Sequence, residues 1–139
     1  MGPIKVLVID DEEHILQMIK NRLQKDGFTI DTAKNGSEGF QKAIENPPDV
    51  ILLDVMLPDI DGKDLCKKLK ANQFTENIPV IFLTAKNTPE EKMEEYEAGG
   101  ECHIQKPFEG KELKEKILRT FQYIRQIERG SNERENTDS

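Results

Sequence analysis

The chain is short and acidic, with 139 residues and a formal net charge of −7 at pH 7. Its length is close to the common size of a single domain and is sufficient to bury a hydrophobic core. The negative charge argues against a nucleic-acid partner, because binding to phosphate backbones requires a basic surface. No apolar run approaches the roughly 18 residues that a membrane-spanning helix needs, so we expect no membrane partner either.

Apolar runs and amphipathic segments alternate along the chain. The predicted strands are Ile4–Ile9, Phe28–Ala33, Val50–Leu53, Ile78–Leu83 and Glu101–Gln105. The predicted helices are His14–Asp26, Ser37–Glu45, Gly62–Asn72, Pro89–Ala98 and Glu109–Ile127. Strand–helix units in series predict an α/β fold with one parallel sheet, right-handed crossovers and helices on both faces.

The segment after the last predicted helix is polar and lacks apolar periodicity. We therefore expect one domain over residues 1–127 and a disordered tail over residues 128–139. The acidic run Glu90–Glu97 is expected to form a solvated helix face, and it is also a plausible partner surface. The N-terminus leads almost directly into a strand, so we expect no signal peptide. Cys66 and Cys102 form no disulfide framework and are expected to be reduced thiols in a cytoplasmic protein.

Carboxylates stand where two of the most apolar strands end. Asp10 and Asp11 follow Ile4–Ile9, and Asp54 follows Val50–Leu53. The C-terminal ends of parallel strands share the edge at which open α/β sheets bind ligands. Carboxylates clustered there would repel one another and raise their own pKa values unless a cation compensates them. Hard oxygen ligands with room for water suit Mg²⁺.

A hydroxyl and an ammonium group are predicted at the same edge. Thr84 follows the fourth strand and Lys106 follows the fifth. Beside a metal ion, these groups could hold the oxygens of a phosphoryl group, and a carboxylate can itself be the nucleophile that forms an acyl phosphate. Each residue has an ordinary explanation when taken alone: Asp10 and Asp11 as helix caps, Thr84 as a strand end and Lys106 as a surface charge. Together they favour phosphoryl transfer onto an aspartate.

Separate segments of the chain closely resemble the receiver domain of two-component response regulators. They are Val6–Glu12, Asp49–Gly62, Pro79–Ala85 and Lys106–Phe108. The resemblance extends over residues 4–127, with the motifs in the family's order and spacing. It implies a flavodoxin-like, doubly wound sheet of five parallel strands in the order 2-1-3-4-5, in a single-domain regulator of the chemotaxis or relay type.

The resemblance implies a role for each polar residue at the sheet edge. Asp54 would be the phosphoacceptor, Lys106 its cationic partner, and Thr84 a hydrogen-bond donor to the phosphoryl group. The Lys106–Pro107 peptide bond is expected to be cis. The ligands of Mg²⁺, or of Mn²⁺ in its place, would be Asp10 acting through water, Asp11, Asp54 and the backbone carbonyl of Met56.

The implied function is Mg²⁺-dependent transfer of a phosphoryl group to Asp54 from a phosphohistidine on a histidine kinase or a phosphotransfer protein. Thr84 would then move toward the phosphate and His103 would turn inward, which changes the face that a downstream protein target reads. Family members commonly carry Tyr or Phe where His103 stands. Imidazole titrates near neutral pH and could add a pH response, but the simpler interpretation is that the ring fills the slot. The chain is not expected to be a turnover enzyme.

Further positions have family roles outside the transfer itself. Met56 and Lys86 stand where members tune the lifetime of the phosphate. Because Met56 cannot position a water by hydrogen bonding and Lys86 could cover the phosphate, we expect a long-lived acyl phosphate. Ile15, Pro107 and Phe108 stand where members dock the kinase helices.

Alternative functions stay open at this level. The chain could be a receiver domain from a larger regulator or hybrid kinase, or a docking module that works without phosphorylation. A haloacid-dehalogenase-like phosphatase also uses an aspartyl nucleophile with Mg²⁺. That class requires a second acid two residues after the nucleophile, where Met56 stands.

Overall fold

The computed structural model describes the backbone of residues 2–137 and the side chains of residues 2–127. The strands in this part of the chain are β1 (Lys5–Ile9), β2 (Thr29–Ala33), β3 (Val50–Asp54), β4 (Val80–Thr84) and β5 (Cys102–Gln105). The helices are α1 (Glu13–Lys25), α2 (Gly36–Glu45), α3 (Gly62–Lys70), α4 (Pro89–Glu97) and α5 (Gly110–Thr137). Every predicted strand and helix is present, and most of their ends lie close to the predicted ones.

The strands form one parallel sheet in the order β2-β1-β3-β4-β5. This order confirms the predicted flavodoxin-like α/β fold. The register pairs Ile9 of β1 with Leu53 of β3, and Asp54 of β3 with Leu83 of β4. The C-terminal ends of these strands therefore meet at one edge, beside the central strand.

Helices cover both faces of the sheet. Every residue of β3 and β4 is buried, which explains why their sequences are apolar without alternation up to the polar residue that ends each strand. The predicted inward residues of α3 and the first half of α5 are buried, namely Leu65, Cys66, Leu69, Leu113 and Ile117. Each of these leucine and isoleucine side chains contributes about 1.5–3 kcal/mol of hydrophobic stabilisation. In the described part of the chain, no helix combines the length and the hydrophobicity that a membrane crossing requires.

The last helix is longer than predicted. α5 continues past its predicted end at Ile127 to Thr137, whereas the boundary between a domain over residues 1–127 and a tail over residues 128–139 stays a prediction; residues 138–139 lie outside the described residues. The prediction rested on the loss of apolar periodicity, which reports side-chain packing rather than backbone hydrogen bonding. Once a helix is nucleated, each added residue needs only one more backbone hydrogen bond, so a polar segment can extend it.

α4 matches the prediction of a solvated acidic face only in part, because Glu90, Glu94 and Glu97 are exposed but two other acids of the run are buried. Glu91 and Glu95 are 6% and 3% exposed, whereas Met93 and Tyr96 are 58% and 75% exposed. Residues spaced by three and four share one face of a helix. Because Ala98 at the end of this helix is buried, the same face turns Glu91 and Glu95 toward the protein.

Candidate functional site

Polar side chains converge at the C-terminal edge of the sheet. Asp54 and Thr84 end β3 and β4, Asp10 follows β1, and Lys106 follows β5. Asp10, Asp54 and Thr84 are only 0%, 6% and 2% exposed, so their polar groups are largely withdrawn from water. Asp54, Thr84 and Lys106, together with Asp11, line an open cleft of about 600 Å³. The structure therefore brings the predicted residues together.

Lys106 bridges the buried carboxylates. Its Nζ donates a hydrogen bond to Asp10 Oδ2 at 2.9 Å and lies 3.5 Å from Asp54 Oδ2. The resemblance implied a pairing with Asp54, but the shorter contact is with Asp10. Burial alone would lower the pKa of Lys106, but the hydrogen bond and charge of Asp10 and the charges of Asp54 and Glu12 together raise it above its ordinary value. The peptide bond that follows Lys106 is cis, as expected.

Asp10 is held through both of its carboxylate oxygens. Oδ1 accepts a hydrogen bond from the backbone N–H of Glu12 at 2.9 Å, and Oδ2 accepts the bond from Lys106. Asp10 is fully buried and is not among the residues that line the cleft. These contacts suit a residue that acts on a metal ion through water rather than as a direct ligand.

Asp54 is a carboxylate whose ionised form is disfavoured. Burial is the largest cause, and the charge of Asp10 adds to it, so that the pKa of Asp54 is raised to about 6. The backbone N–H of Met56, which donates to Asp54 Oδ1 at 3.1 Å, and the nearby Lys106 oppose this rise. At neutral pH Asp54 is therefore mostly ionised, at an energetic cost that a nearby divalent cation would remove.

The carboxylates at the end of β1 fit a hard metal ion. The ligand oxygens of Asp10, Asp11 and Glu12 all lie within 4.8 Å of one another. Asp11 and Glu12 are exposed, and they line the same cleft as Asp54. Oxygen donors with open space for water are the set that Mg²⁺ prefers. Sequence reasoning missed Glu12, although its place directly after the two aspartates was an available signal.

The loop between β3 and α3 is held tightly beside Asp54. The N–H of Gly62 donates to the carbonyl oxygen of Val55 at 2.7 Å. A Cβ on Gly62 would lie 2.2 Å from the backbone oxygen of Asp54, so only glycine fits there. The Asp59 carboxylate accepts hydrogen bonds at 2.8 and 2.9 Å from the first backbone N–H groups of α2, an anchor that was not predicted. The loop is thus fixed at both ends of its path past the cleft.

Thr84 is bonded to the loop that follows it. Its Oγ1 accepts from the backbone N–H of Lys86 at 3.1 Å and donates to the carbonyl oxygen of Lys86 at 3.2 Å. Lys86 and Met56 are exposed and both line the cleft, where they can cover a group bound to Asp54.

His103 is half-buried on β5, beside β4. Burial first, and then the charges of Lys116 and Lys92, lower the pKa of His103 below its ordinary value. The ring is therefore mostly neutral at neutral pH.

The residues predicted for partner docking lie outside the cleft. Ile15 and Phe108 are half-buried and pack against the core on the α1 and α5 side of the sheet, and Pro107 is exposed. Each keeps some apolar surface available to a partner.

Comparison with known sequences places the chain in a family. Residues 6–118 match the response regulator receiver domain. The alkaline phosphatase synthesis transcriptional regulatory protein PhoP of Bacillus subtilis is 37% identical over 113 residues, which are 81% of this chain and 46% of PhoP. The transcriptional regulatory protein ResD of Bacillus subtilis is 35% identical over 127 residues, which are 91% of this chain and 50% of ResD. The chain thus spans about half the length of these curated relatives.

Solved structures agree with the sequence comparison. The chemotaxis protein CheY4 of Vibrio cholerae has a TM-score of 0.82 and 32% identity, covering 85% of this chain and 98% of CheY4. A CheY-like receiver domain protein of Methanospirillum hungatei JF-1 has a TM-score of 0.84 and 25% identity, covering 91% of this chain and 99% of that protein. With the family match, the sheet order and the acidic cleft in agreement, the chain belongs to the response regulator receiver family, the signalling modules of two-component systems.

Proposed function

We propose that Asp54 is the phosphoacceptor of a two-component pathway and takes its phosphoryl group, with Mg²⁺, from a phosphohistidine on a histidine kinase or a phosphotransfer protein. The observation that carries the proposal is the placement of Asp54, which is 6% exposed, lies 3.5 Å from Lys106 Nζ and shares its cleft with Asp11. A carboxylate that is mostly ionised at neutral pH, stands beside a fixed cation and opens to a cleft is suited to attack phosphorus.

Receiver domains in general bind Mg²⁺ at an acidic pocket, and the donors of this chain fit that ion. We assign its ligands as Asp11, Asp54 and the backbone carbonyl of Met56, with Asp10 acting through water; Mn²⁺ could take the same place. When bound, the ion neutralises charge on the phosphoryl oxygens. Glu12, whose carboxylate lies within 4.8 Å of those of Asp10 and Asp11, is a further candidate ligand.

The transfer is a displacement at phosphorus. A carboxylate oxygen of Asp54 forms the new P–O bond while the P–N bond to histidine breaks, and the imidazole leaves with the bonding electron pair. Lys106 donates to a phosphoryl oxygen and stays protonated. Because Asp10 already holds this ammonium at 2.9 Å, little reorganisation is needed when charge develops. The protein itself changes state and is a signalling module rather than a turnover enzyme.

Phosphorylation would redirect the hydroxyl of Thr84. A phosphoryl dianion is a stronger acceptor than the carbonyl of Lys86, to which Thr84 donates in this structure. Movement of Thr84 leaves space beside β4 that the half-buried ring of His103 can enter. The face formed by α4, β5 and α5 would then shift toward a second packing that a downstream protein target recognises.

The kinase contact is assigned to Ile15, Pro107 and Phe108, which keep apolar surface outside the cleft.

We infer a cytoplasmic location, which the free thiols of Cys66 and Cys102 support. The acidic net charge disfavours direct nucleic-acid contact by this chain.

A second candidate is a receiver domain that works within a larger regulator. The observation that favours it is the coverage of only 46% and 50% of two relatives named as transcriptional regulatory proteins. The continuation of α5 to Thr137 would provide a helical connection.

The test is labelling with a small phosphodonor such as acetyl phosphate, with Mg²⁺ or with EDTA. We expect an acid-stable, base-labile label that requires Mg²⁺ and is absent from Asp54→Asn. Asp61→Asn is the matched control, because Asn can keep the helix-capping contact that the Asp61 side chain makes to the backbone N–H of Lys63. Turnover of a phosphomonoester would favour the phosphatase alternative. A protein that never labels but still binds a histidine kinase would favour the docking module.

A further inference from the structure

The inner face of α4 is acidic, which is an energetically unfavourable way to pack a helix. Glu91 and Glu95 face the protein with 6% and 3% exposure, and the apolar side chains of Met93 and Tyr96 face outward. Burying a carboxylate is strongly unfavourable unless a cation or hydrogen bonds compensate it. The packing of α4 therefore depends on its charge partners.

Lys63, at the start of α3, supplies the compensating cation. Its Nζ donates to Glu94 and to Glu91 Oε2, the latter at 3.3 Å, and the side chain is only 17% exposed. Glu91 Oε1 is also 3.3 Å from Nζ but makes no hydrogen bond within the described part of the chain. The hydrogen bond with Glu94 raises the pKa of Lys63 and lowers that of Glu94. One ammonium thus joins α3 to α4.

The remaining acid on this face, Glu95, forms no ion pair with Lys63 or with any other cation among the described residues. Neither of its carboxylate oxygens finds a hydrogen-bond partner among the described residues. Burial, followed by the charge of Glu91, raises the pKa of Glu95 to about 7. The charges that act on it are Glu91, Glu94 and Lys92 on α4 and Lys63 on α3. The docked position of α4 is therefore held against repulsion among its own carboxylates, and losing the cation would favour release.

The compensating cation also faces the phosphoacceptor cleft. Lys63 and Glu91 line the same cleft as Asp54. The residue before Lys63, Gly62, packs so closely on the backbone oxygen of Asp54 that a Cβ would lie 2.2 Å from it. The base of the Lys63 side chain is thereby fixed relative to Asp54. A phosphoryl group carries about −1.5 to −2 charges near neutral pH, and it would compete with the α4 glutamates for this one ammonium.

We propose that Lys63 is an electrostatic latch that holds α4 against α3 through Glu91 and Glu94 and that releases α4 when Asp54 is phosphorylated. The release rests on the proposed function, whereas the latch is a property of the unphosphorylated protein. Lys63 is a positioning residue in this scheme, because it acts on the signalling face through the glutamates of α4.

The test is hydrogen–deuterium exchange of the α4 backbone amides, read by mass spectrometry in the intact chain. Without phosphodonor, we expect α4 in Lys63→Met to exchange roughly tenfold faster than in the wild type, since a partly buried cation is lost. Lys63→Arg keeps the cation and should restore slow exchange. The matched control is Lys67→Met, one turn further along α3, since Lys67 is exposed and acts on Glu94 only through its charge, without forming an ion pair within residues 2–127.

A second arm adds acetyl phosphate and Mg²⁺. Exchange in α4 of the wild type should rise toward the level of Lys63→Met, and Lys63→Met should show no further rise. The amides of β3 report general destabilisation, and they should stay equally protected in all variants.

The outcomes separate the latch from the proposed function. Equal α4 exchange in unphosphorylated wild type and Lys63→Met overturns the latch, and so does faster exchange that β3 shares. A protein that is labelled on Asp54 while α4 exchange stays unchanged overturns the release and leaves the proposed function intact. Failure of every variant to take up phosphate overturns both the proposed function and the release, while the unphosphorylated comparison still decides the latch.

Discussion

Asp54 is buried beside Asp10 at the sheet edge, and the resulting rise in its pKa has a measurable effect on stability. The pKa of Asp54 is raised from 3.8 to about 6, mainly by burial and further by Asp10. Between these values the folded protein binds more protons than the unfolded chain, so stability falls as pH rises through that window and stays lower above it. Ionised Asp54 therefore destabilises the metal-free protein at neutral and alkaline pH.

Asp54→Asn removes this penalty and keeps an oxygen that can accept from the N–H of Met56. In EDTA at pH 8 we expect the variant to be more stable than the wild type, by on the order of 1–2 kcal/mol. The difference should shrink toward zero near pH 4. Urea denaturation across this pH range is the measurement, and a wild type at least as stable as the variant at pH 8 would contradict the account.

Met56 bears on the lifetime of the acyl phosphate. Its side chain is 73% exposed at the cleft and cannot orient an attacking water by hydrogen bonding. We expect Met56→Asn to lose its phosphoryl group several-fold faster than the wild type, because an amide can hold that water. Decay of the label after removal of the phosphodonor checks this, and an unchanged or longer half-life would show that Met56 does not control hydrolysis.

The polar residues of the site could be predicted individually, but their pairing could not. Asp10, Asp54 and Lys106 follow apolar strands, so a parallel sheet brings them to one edge. Whether Lys106 lies nearer to Asp10, at 2.9 Å, or to Asp54, at 3.5 Å, depends on side-chain rotamers that no pattern of residue types specifies.

α4 buries an acid whose titration affects the stability of the protein. Because Glu95 is buried, its pKa rises from 4.5 to about 7. The folded form therefore retains a proton that the unfolded chain has lost, and stability falls as pH rises from about 4.5 to about 7. Local release of α4 limits this loss of stability at high pH, because the helix can undock without global unfolding.

Glu95→Gln should remove this dependence. We expect the variant to be more stable than the wild type at pH 8 by on the order of 1 kcal/mol, with little difference near pH 4.5. Thermal unfolding in metal-free buffer at both pH values is the measurement. Glu97→Gln on the exposed side of the helix is the control and should change neither value. A stability difference that does not depend on pH would contradict the raised pKa of the buried Glu95.

The helices also show which features of packing the spacing of apolar residues can predict. α3 carries Leu65, Cys66 and Leu69 at helical spacing, and all three are buried as predicted. α4 has no apolar stripe, so its own sequence does not indicate which of its faces turns toward the sheet. The connections before and after the helix set that orientation instead. The acidic inner face could therefore not be predicted. The extension of α5 escaped prediction for a related reason, because backbone hydrogen bonding leaves no periodic signal.

At the scale of the whole molecule, the alternating elements predicted a parallel α/β sheet, and the resemblance carried by four ordered motifs implied the strand order and the family. Those signals are strong because a parallel sheet with right-handed crossovers leaves few topologies. Partner contacts leave no comparable signal, since a docking residue needs only partial exposure.

Ile15 offers a test of the docking surface. Ile15→Ala removes apolar area outside the cleft, so we expect transfer from a phosphorylated histidine kinase to slow about tenfold. Labelling by acetyl phosphate, which needs no docking surface, should be unchanged. Equal losses with both donors would indicate that the substitution disturbs the site or the fold rather than the partner contact.

The most direct test of the central claim locates the phosphoryl group on the chain. After labelling with Mg²⁺, borohydride reduction converts an aspartyl phosphate to homoserine, which peptide mass spectrometry can assign to one position. The account predicts homoserine at residue 54 and at no other carboxylate. Reduction at a different aspartate, with Asp54 unchanged, would contradict it.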